Sequence, residues 1–214
     1  MELDEPILNA LFTYTKALSV ALGYRDLLTR LHSERVRGLS TAIGVGCGLS
    51  ETELGVLNIA ASLHDIGKIG IPDQVLLKLS QLDEAEREKM NQHSEIGERI
   101  LAATDLDGSQ RASLVIRHHH EHYDGRGYPD KLSGEEIPIC SRIISIADSY
   151  DAMAVTRAYH PARTHQEIMA ILHEETGGKH DPELMRVFFE IIESSEFNAA
   201  KSPVPQTSNP PPSI

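Results

Sequence analysis

Apolar side chains recur at intervals of three and four residues along most of this 214-residue chain, the pattern of amphipathic helices. Residues 5–22 show it first, with Ile7, Leu11 and Leu18 on one face. No segment shows the alternation of apolar and polar residues that predicts a strand. Trp is absent and aromatic residues make up 5% of the chain, so aliphatic side chains must fill the core. The pattern predicts an all-α protein.

Glycine, proline and capping residues divide the chain into further helices. Gly23 ends or kinks the first helix, and a second is expected over approximately 25–45. Ser50 and Glu53 form the pattern of a capping box, which predicts a third helix that passes through His64 and stops in the region of Gly67 and Gly70. The remaining predicted helices span approximately residues 83–92, 94–103, 109–120, 141–156, 164–176 and 182–193.

The composition of two segments sets the predicted domain organisation. Residues 123–138 are rich in Gly, Pro and Asp and predict a long loop, which in a compact domain is usually functional. Residues 198–214 contain five prolines and little to bury, which predicts a disordered tail. We therefore predict an N-terminal helix or linker at 1–23, a helical domain at 24–195 and a disordered tail at 196–214.

The formal net charge of −12 makes non-specific binding to a nucleic acid polymer a poor hypothesis, since such binding needs a basic surface. An anionic substrate would have to be attracted locally, by metal ions and a few Lys or Arg. Cys47 and Cys140 are spaced neither as a metal knuckle nor as a redox pair. No signal-peptide pattern and no membrane-spanning apolar run is present. We expect a cytoplasmic protein without membrane insertion.

Histidine is the unusual component, with 11 residues of which four fall within one stretch of five. A lone helical histidine is usually a satisfied core or surface residue, but imidazoles near carboxylates are typical metal ligands. His64 and Asp65 are adjacent at the end of a predicted helix. Asp148 lies in an otherwise apolar helix, where a carboxylate is costly unless it is paired or binds metal. His118 and His122 flank the histidine run and are expected to face solvent or to lie behind the ligands.

Several segments, in order, resemble signatures of the HD-GYP family within the metal-dependent HD phosphohydrolase superfamily. The resemblance covers residues 24–193 and implies an HD-domain helical bundle with an N-terminal helix and a long GYP loop. The matching segments are His64–Pro72 (HDIGKIGIP), His119–Pro129 (HHEHYDGRGYP), Ile146–Ala152 (IADSYDA), and the histidines His32 and His93 at the family's first and third histidine positions.

The resemblance implies a two-metal site bridged by Asp65, which is then also a catalytic residue. Nitrogen and carboxylate ligands suit Fe, Mn, Ni, Co or Zn better than Mg or Ca, and the family implies iron or manganese first. Leu28 stands where some members carry a glutamate for a third metal, so we expect two ions. Asp26 is either a candidate for the substrate-binding edge or a helix-surface residue. The implied ligands are His32, His64, Asp65 and Asp148 for one metal, and Asp65, His93, His119 and His120 for the other.

The implied substrate is cyclic di-GMP, and the implied products are the linear dinucleotide, GMP, or both. A hydroxide shared by the two metals would attack phosphorus, and Lys68 would stabilise charge on the phosphoryl oxygens. Arg157 resembles a family arginine that contacts substrate phosphate. Gly127, Tyr128 and Pro129 would line one wall of the pocket, where Tyr128 either stacks on a guanine or only packs the loop.

Two departures from the family pattern affect these expectations. His160 replaces a second cation after Arg157 and is largely neutral at pH 7, which weakens one expected phosphate contact. His180 stands in place of a usual phenylalanine, and the sequence offers no physical account of that change.

Two other functions compete with the phosphodiesterase hypothesis. The chain could be a cyclic-dinucleotide receptor, or an interaction module that docks on a diguanylate cyclase (GGDEF) domain through the GYP loop, without turnover. It could also be an HD phosphohydrolase of another nucleotide, against which the GYP segment argues. Because every expected metal ligand is retained, we favour the enzyme. Residues 5–22 are a candidate signalling linker, acting through a partner or by forming a homodimer.

Overall fold

The computed structural model describes residues 17–18, 20–24, 27–104, 108–155 and 162–201, and within them the chain is built from helices and turns. No strand occurs in these residues, apart from an isolated bridge between Thr176 and His180. The prediction of an all-α protein is confirmed. The α-helices are α1 (Leu27–Gly46), α2 (Glu51–Leu63), α3 (Asp73–Leu76), α4 (Glu84–Asn91), α5 (His93–Ala102), α6 (Ser109–His118), α7 (Ile139–Ala154), α8 (His165–Glu175) and α9 (Pro182–Ile192).

Side-chain caps begin the helices where the sequence predicts them. The Ser50 hydroxyl accepts from the Glu53 backbone N–H, and the Glu53 carboxylate accepts from the Ser50 backbone, so the predicted capping box begins α2. Thr164 and Glu167 form the same arrangement at α8. Each box satisfies backbone donors that the first helical turn leaves unpaired.

Two predicted helices end earlier than expected. Helix α2 stops at Leu63, and the next residues form a 3-10 turn at Ile66–Gly70 instead of continuing the helix to the glycines. Helix α6 stops at His118, so His119 and the residue after it lie beyond the helix and not inside it. In both places the early end lets a histidine side chain turn back onto a carbonyl of the last helical turn.

Helix α7 lies at the centre of the molecule and packs against α1, α2, α6, α8 and α9. Ile143, Ile144, Ile146 and Ala147 on this helix are completely buried. Apart from Tyr150 and Phe188, the largest fully buried side chains are Leu and Ile, as the aromatic-poor composition predicts. Asp148 is therefore carried by a helix whose apolar residues are held from several sides.

Residues 196–201, which the sequence assigns to the tail, pack against the helical domain. The Phe197 ring lies where a Cβ on Gly38 would stand, at 2.4 Å from that position. The Ala199 backbone donates to the Tyr150 hydroxyl at 2.8 Å, and Asn198 is buried. These residues belong with the packed domain because their side chains cover the core.

Other predictions fall on residues outside the described ranges. Residues 17–18 and 20–24 are helical, so the helix predicted over 5–22 continues through Gly23 to Tyr24, and the rest of that segment is outside. The remaining tail at 202–214 is outside as well, and the domain boundaries stay predictions. In the part of the chain that the structure describes, no helix is long and apolar enough to cross a membrane.

Gly67 allows the 3-10 turn to touch helix α5 directly. A Cβ at this position would lie 1.8 Å from the His93 carbonyl oxygen and 2.6 Å from the Gly97 nitrogen, both backbone atoms. Contacts this short cannot be relieved by rotating a side chain. The absence of a side chain at Gly67 therefore places Asp65, two residues earlier, beside His93.

We predict that Gly67→Ala lowers the free energy of unfolding by about 3 kcal/mol or more, because the backbone must separate from α5. Gly70→Ala is the matched control, since its Cβ would meet only side-chain atoms of Ile96, at 3.0 Å and beyond. Urea unfolding monitored by circular dichroism measures both. Equal stability of the two variants would contradict the close-contact argument.

Candidate metal centre

Seven side chains that the sequence singles out converge beside the central helix. They come from five parts of the chain, and each is placed by the end or the inward face of a helix. The contributors are His32 on α1, His64 and Asp65 after α2, His93 at the start of α5, His119 and His120 after α6, and Asp148 on α7.

The first group consists of His32, His64 and Asp148, whose ligand atoms all lie within 4.8 Å of one another. His32 Nε2 is 3.0 Å from Asp148 Oδ1. His32 and His64 are buried, whereas the Asp148 side chain keeps 19% of its surface exposed. One edge of this group is thus open to a neighbouring cleft.

The second group consists of His93, His119 and His120, again with ligand atoms within 4.8 Å of one another. The Nε2 atoms of His93 and His119 face each other at 3.4 Å. The His119 and His120 ring centroids are 4.0 Å apart. Three imidazole nitrogens therefore point at one small volume.

Asp65 lies between the two groups and presents one oxygen to each. Its Oδ2 is 3.5 Å from His64 Nε2 and 3.9 Å from His32 Nε2. Its Oδ1 is 3.6 Å from His93 Nε2. The side chain is buried, and Lys68 Nζ donates to Oδ2 at 2.7 Å. This is the geometry that a carboxylate needs to bridge two cations.

The same local hydrogen bond orients three of the histidines. Each Nδ1 lies against the backbone carbonyl three residues earlier, at or near the end of a helix, where carbonyls lack partners within the helix. This contact requires the proton on Nδ1 and leaves the Nε2 lone pair free to bind a metal. The pairs are His64 Nδ1 with Ala61 O at 2.9 Å, His93 Nδ1 with Met90 O at 2.7 Å, and His119 Nδ1 with Ile116 O at 2.6 Å.

These tautomers leave buried Nε2 lone pairs that suit a metal centre and would be unfavourable in an ordinary protein core. His64 Nε2 is buried without a hydrogen-bond partner. The Nε2 atoms of His93 and His119 oppose two lone pairs at 3.4 Å once both Nδ1 atoms carry their protons. Buried acceptors left unpaired in this way are costly, and one cation at each group would satisfy them. The mixed imidazole and carboxylate donors suit a divalent transition metal.

Burial keeps the second group neutral. It lowers the pKa of His93 and His120, and it lowers the pKa of His119 from 6.5 to about 3. The neighbouring histidines add to the lowering for His119 and His120. Near pH 7 these imidazoles hold no extra proton that a metal would have to displace.

The carboxylates of the first group favour positive charge. Burial alone would lower the pKa of His32, but hydrogen bonds to Asp148 and Asp151 outweigh it and raise this pKa to about 9. Burial would raise the pKa of Asp65, yet Lys68 and the surrounding histidines hold it well below its usual range. The pKa of Asp148 is also held well below its usual range, chiefly by His32 against the effect of burial. Both carboxylates are therefore charged and available as ligands.

Asp151 is a functional residue that the sequence reasoning missed. Its Oδ2 lies 2.7 Å from His32 Nδ1, so His32 turns Nε2 towards Asp148. Arg35 donates to both Asp151 oxygens, from Nε at 2.6 Å and from Nη2 at 2.9 Å. Asp148 and Asp151 are three residues apart, which places them on one face of α7 and was the signal available in the sequence.

The GYP loop lies against the second group. Gly127 is buried, and a Cβ there would meet the His122 nitrogen at 2.2 Å. The Tyr128 ring stacks on His120 with centroids 4.9 Å apart and 29° between the planes, and a cis peptide bond joins it to Pro129. In this structure Tyr128 therefore packs over a candidate ligand.

The histidines flanking the run differ in their surroundings. His118 is 8% exposed and its Nε2 lies 2.8 Å from Asp130 Oδ2, so the solvent-facing alternative is wrong for it. Asp130 also accepts two hydrogen bonds from Arg117, and this network holds the loop in place. His122 is half-buried.

Asp26, Arg157 and His160 lie outside the described residues.

A cleft opens beside the centre and includes residues that the sequence reasoning did not select. Glu175 and Lys179, from the end of α8 and the following turn, form part of its wall. His180 is buried next to them, with Nε2 3.2 Å from Glu175 Oε2. Burial lowers the pKa of His180, so near pH 7 it fills this place as a neutral ring. The cleft is lined by His120, Ser145, Asp148, Ser149, Ala152, Met153, Glu175 and Lys179.

An all-helical domain with two buried groups of imidazoles joined by one aspartate defines a class of metal-dependent domains. Comparison with known proteins agrees with this class: the profile of the HD domain family matches residues 19–184. The chain belongs to the HD domain family, and its segment His119–Pro129 carries the HD-GYP signature.

Known relatives are longer than this chain. A "Cyclic di-GMP phosphodiesterase" of Thermotoga maritima is 40% identical over 181 residues, which are 85% of this chain and 49% of that protein. A "3'3'-cGAMP-specific phosphodiesterase 2" of Vibrio cholerae is 35% identical over 188 residues, which are 88% of this chain and 36% of that protein. The chain thus spans less than half the length of either relative.

A solved structure supports the fold. The HDG"Y"P protein of Bdellovibrio bacteriovorus aligns with a TM-score of 0.63 at 18% identity, covering 88% of this chain and 66% of that one. At this identity the likeness shows the helical fold alone.

The low pKa of His119 predicts how the stability of metal-free protein depends on pH. Its folded pKa of about 3 lies below its ordinary value of 6.5, so below pH 6.5 the unfolded chain binds a proton that the folded chain does not. The stability that His119 contributes is present above pH 6.5 and is lost as the pH falls towards 3. At pH 5 the loss from His119 alone is about 2 kcal/mol.

Urea unfolding of chelator-treated protein at pH 7 and pH 5 measures this loss. The loss should shrink in His119→Gln and persist in His173→Gln, a histidine outside the centre. An unchanged pH dependence in His119→Gln would contradict the assignment.

Proposed function

We propose that this chain hydrolyses a phosphodiester bond of a cyclic dinucleotide with the help of two divalent transition-metal ions. Cyclic di-GMP is the first candidate substrate, with the linear dinucleotide, GMP or both as products, and 3'3'-cGAMP is the second. The observation that carries the proposal is Asp65, whose two oxygens face two separate histidine groups. The names of the Thermotoga and Vibrio relatives supply the substrate class.

The proposed ligand sets follow the two groups. Iron or manganese is the first choice, and nickel, cobalt or zinc would suit the same donors. When bound, such a pair lowers the pKa of water and neutralises charge on the phosphate. The first ion would be held by His32, His64, Asp65 and Asp148, and the second by Asp65, His93, His119 and His120.

The chain's own residues then orient and protect the reacting group. Lys68 Nζ is held 2.7 Å from Asp65 Oδ2 and its side chain keeps 20% exposure, so its charge lies at the centre and remains accessible. We assign it to stabilising the phosphoryl oxygens as negative charge develops. Tyr128, stacked on His120, shields one side of the second group from water.

Local charge matters because the protein as a whole carries −12. An anionic substrate is repelled at a distance and is held only where cations concentrate. Two bound metal ions would provide that concentration together with Lys68, which lies against Asp65 at the centre. Arg157 is proposed as a further phosphate contact, from its place in the sequence.

Docking on a GGDEF domain, formation of a homodimer and a cytoplasmic location also remain proposals. The complete set of proposed ligands supports turnover over a receptor role, because a receptor has no need of two oriented imidazole groups. Binding of cyclic di-GMP without hydrolysis, in protein that holds two metal ions, would support the receptor instead.

We predict that anaerobically iron- or manganese-loaded protein hydrolyses cyclic di-GMP, and that Asp65→Ala loses both metal binding and turnover. The reason is that Asp65 contributes to both ligand sets. Metal content by plasma mass spectrometry and products by chromatography are measured on the same sample. Glu88→Ala, on the exposed surface of α4, is the control for a lost carboxylate. Full turnover in Asp65→Ala would overturn the proposal.

We further predict that Lys68→Ala lowers kcat roughly 100-fold, the effect of losing one charged group aimed at the developing negative charge. Metal content should stay at the wild-type level, since Lys68 is not a ligand. Lys89→Ala, an exposed lysine on α4, is the matched control. If Lys68→Ala loses metal in proportion to its activity, Lys68 acts by holding Asp65 and not on the phosphate.

A further inference from the structure

We propose that Lys179 forms a second anion subsite, which binds the phosphate of the cyclic dinucleotide that is not being cut. This inference rests on the proposed function, because it assigns a contact within the same cleft. It concerns a residue outside both ligand sets and outside the GYP loop.

The position of Lys179 is the first observation. The cleft beside the metal centre is lined by Asp148 and Ala152 of α7 and also by Lys179. Positions four apart on a helix are separated by about 6 Å along its axis. A cyclic dinucleotide with one phosphate at the proposed metal pair, beside Asp148 and His120, would occupy a cleft that Lys179 also lines.

The second observation is that the Lys179 ammonium is only loosely engaged. Its Nζ lies 3.8 Å from Glu175 Oε2, which is beyond hydrogen-bond distance. Among the residues that the structure describes, Nζ makes no hydrogen bond within normal range. The side chain is 31% exposed and retains its three donors for a ligand.

The Glu175 carboxylate is shared between Lys179 and His180. Its carboxylate also faces the buried His180, at 3.2 Å, so it is turned towards the protein interior as well as towards the lysine. Its pKa is held below the usual range, chiefly by His180. Glu175 thus keeps Lys179 at the cleft wall while a phosphate, which forms strong hydrogen bonds with an ammonium, can still recruit Nζ.

The third observation is that the backbone of this turn is fixed to the start of the GYP loop. The Lys179 carbonyl accepts from the Tyr123 N–H at 3.0 Å, and the Gly178 carbonyl accepts from the Asp124 N–H at 2.9 Å. The Lys179 N–H itself donates to the Glu175 carbonyl at 3.0 Å. Replacing the side chain leaves all three bonds intact, so a variant tests the ammonium and not the turn.

The assignment to the uncut phosphate follows from the division of charges. Lys68 sits against Asp65 at the centre, where the bond is broken. Lys179 belongs to neither ligand set but lines the same cleft, so we assign it to the phosphate that is not being cut. A contact that is equally strong in the ground state and the transition state lowers KM without raising kcat.

The test compares wild type, Lys179→Ala and Lys179→Arg with the exposed-lysine control Lys89→Ala, all metal-loaded. Cyclic di-GMP carries two phosphates, whereas bis(p-nitrophenyl) phosphate carries one. We expect Lys179→Ala to raise KM for cyclic di-GMP roughly 10-fold, as for one lost charged hydrogen bond, with kcat within about two-fold. Hydrolysis of bis(p-nitrophenyl) phosphate should not change, and Lys179→Arg should restore most of the KM.

Other outcomes overturn the subsite. An unchanged KM in Lys179→Ala means that the lysine only pairs with Glu175 on the surface. A loss that is equal for both substrates means that Lys179 acts on the metal centre.

If wild type binds two metals but turns over neither substrate, the proposed function fails on its own. Calorimetric measurement of cyclic di-GMP binding then still tests whether Lys179 forms an anion subsite. Binding roughly 10-fold weaker in Lys179→Ala supports it, and equal binding, or no binding to wild type, overturns it.

Discussion

The hydrogen bond from an imidazole Nδ1 to a backbone carbonyl is the interaction on which this centre depends. It occurs at His64, His93 and His119, each time with the carbonyl three residues earlier. One contact satisfies a carbonyl at or near a helix end and sets the tautomer of the ring. It also requires the helix to stop in time, which explains why α2 and α6 end just before their histidines. The positions at which these helices end therefore also determine how the histidine ligands are oriented.

Close packing then brings the oriented rings together. Gly67 lets the turn that follows Asp65 touch the backbone of α5, and Gly127 lets the loop that carries Tyr128 touch the chain near His122. Either contact would be blocked by a single Cβ. The site is thus assembled by backbone surfaces in contact, which fixes positions more firmly than flexible side chains do.

The centre balances groups that would be costly singly. Asp65 lies between the two groups. On one side are the neutral imidazoles, and on the other is the pair His32 and Asp148, whose carboxylate attracts positive charge. Outside the ligands, Arg35 and Asp151 hold His32, while Arg117 and Asp130 hold the loop. The turn between α8 and α9 places Lys179 in the lining of the cleft. In our proposal this lysine binds an anionic ligand.

The sequence by itself determined the helical class, most helix positions and the seven residues that converge, because helical spacing, caps and the histidine motifs are local patterns. It left Tyr128 between two roles and did not select Asp151, Glu175 or Lys179. The roles of these residues depend on which helix faces pack together. Asp151, for example, contacts His32 only because α1 packs against α7. Only the tertiary structure decided that the oxygens of Asp65 face different groups and that Lys179 lines the cleft, since both are distances between segments far apart in the chain.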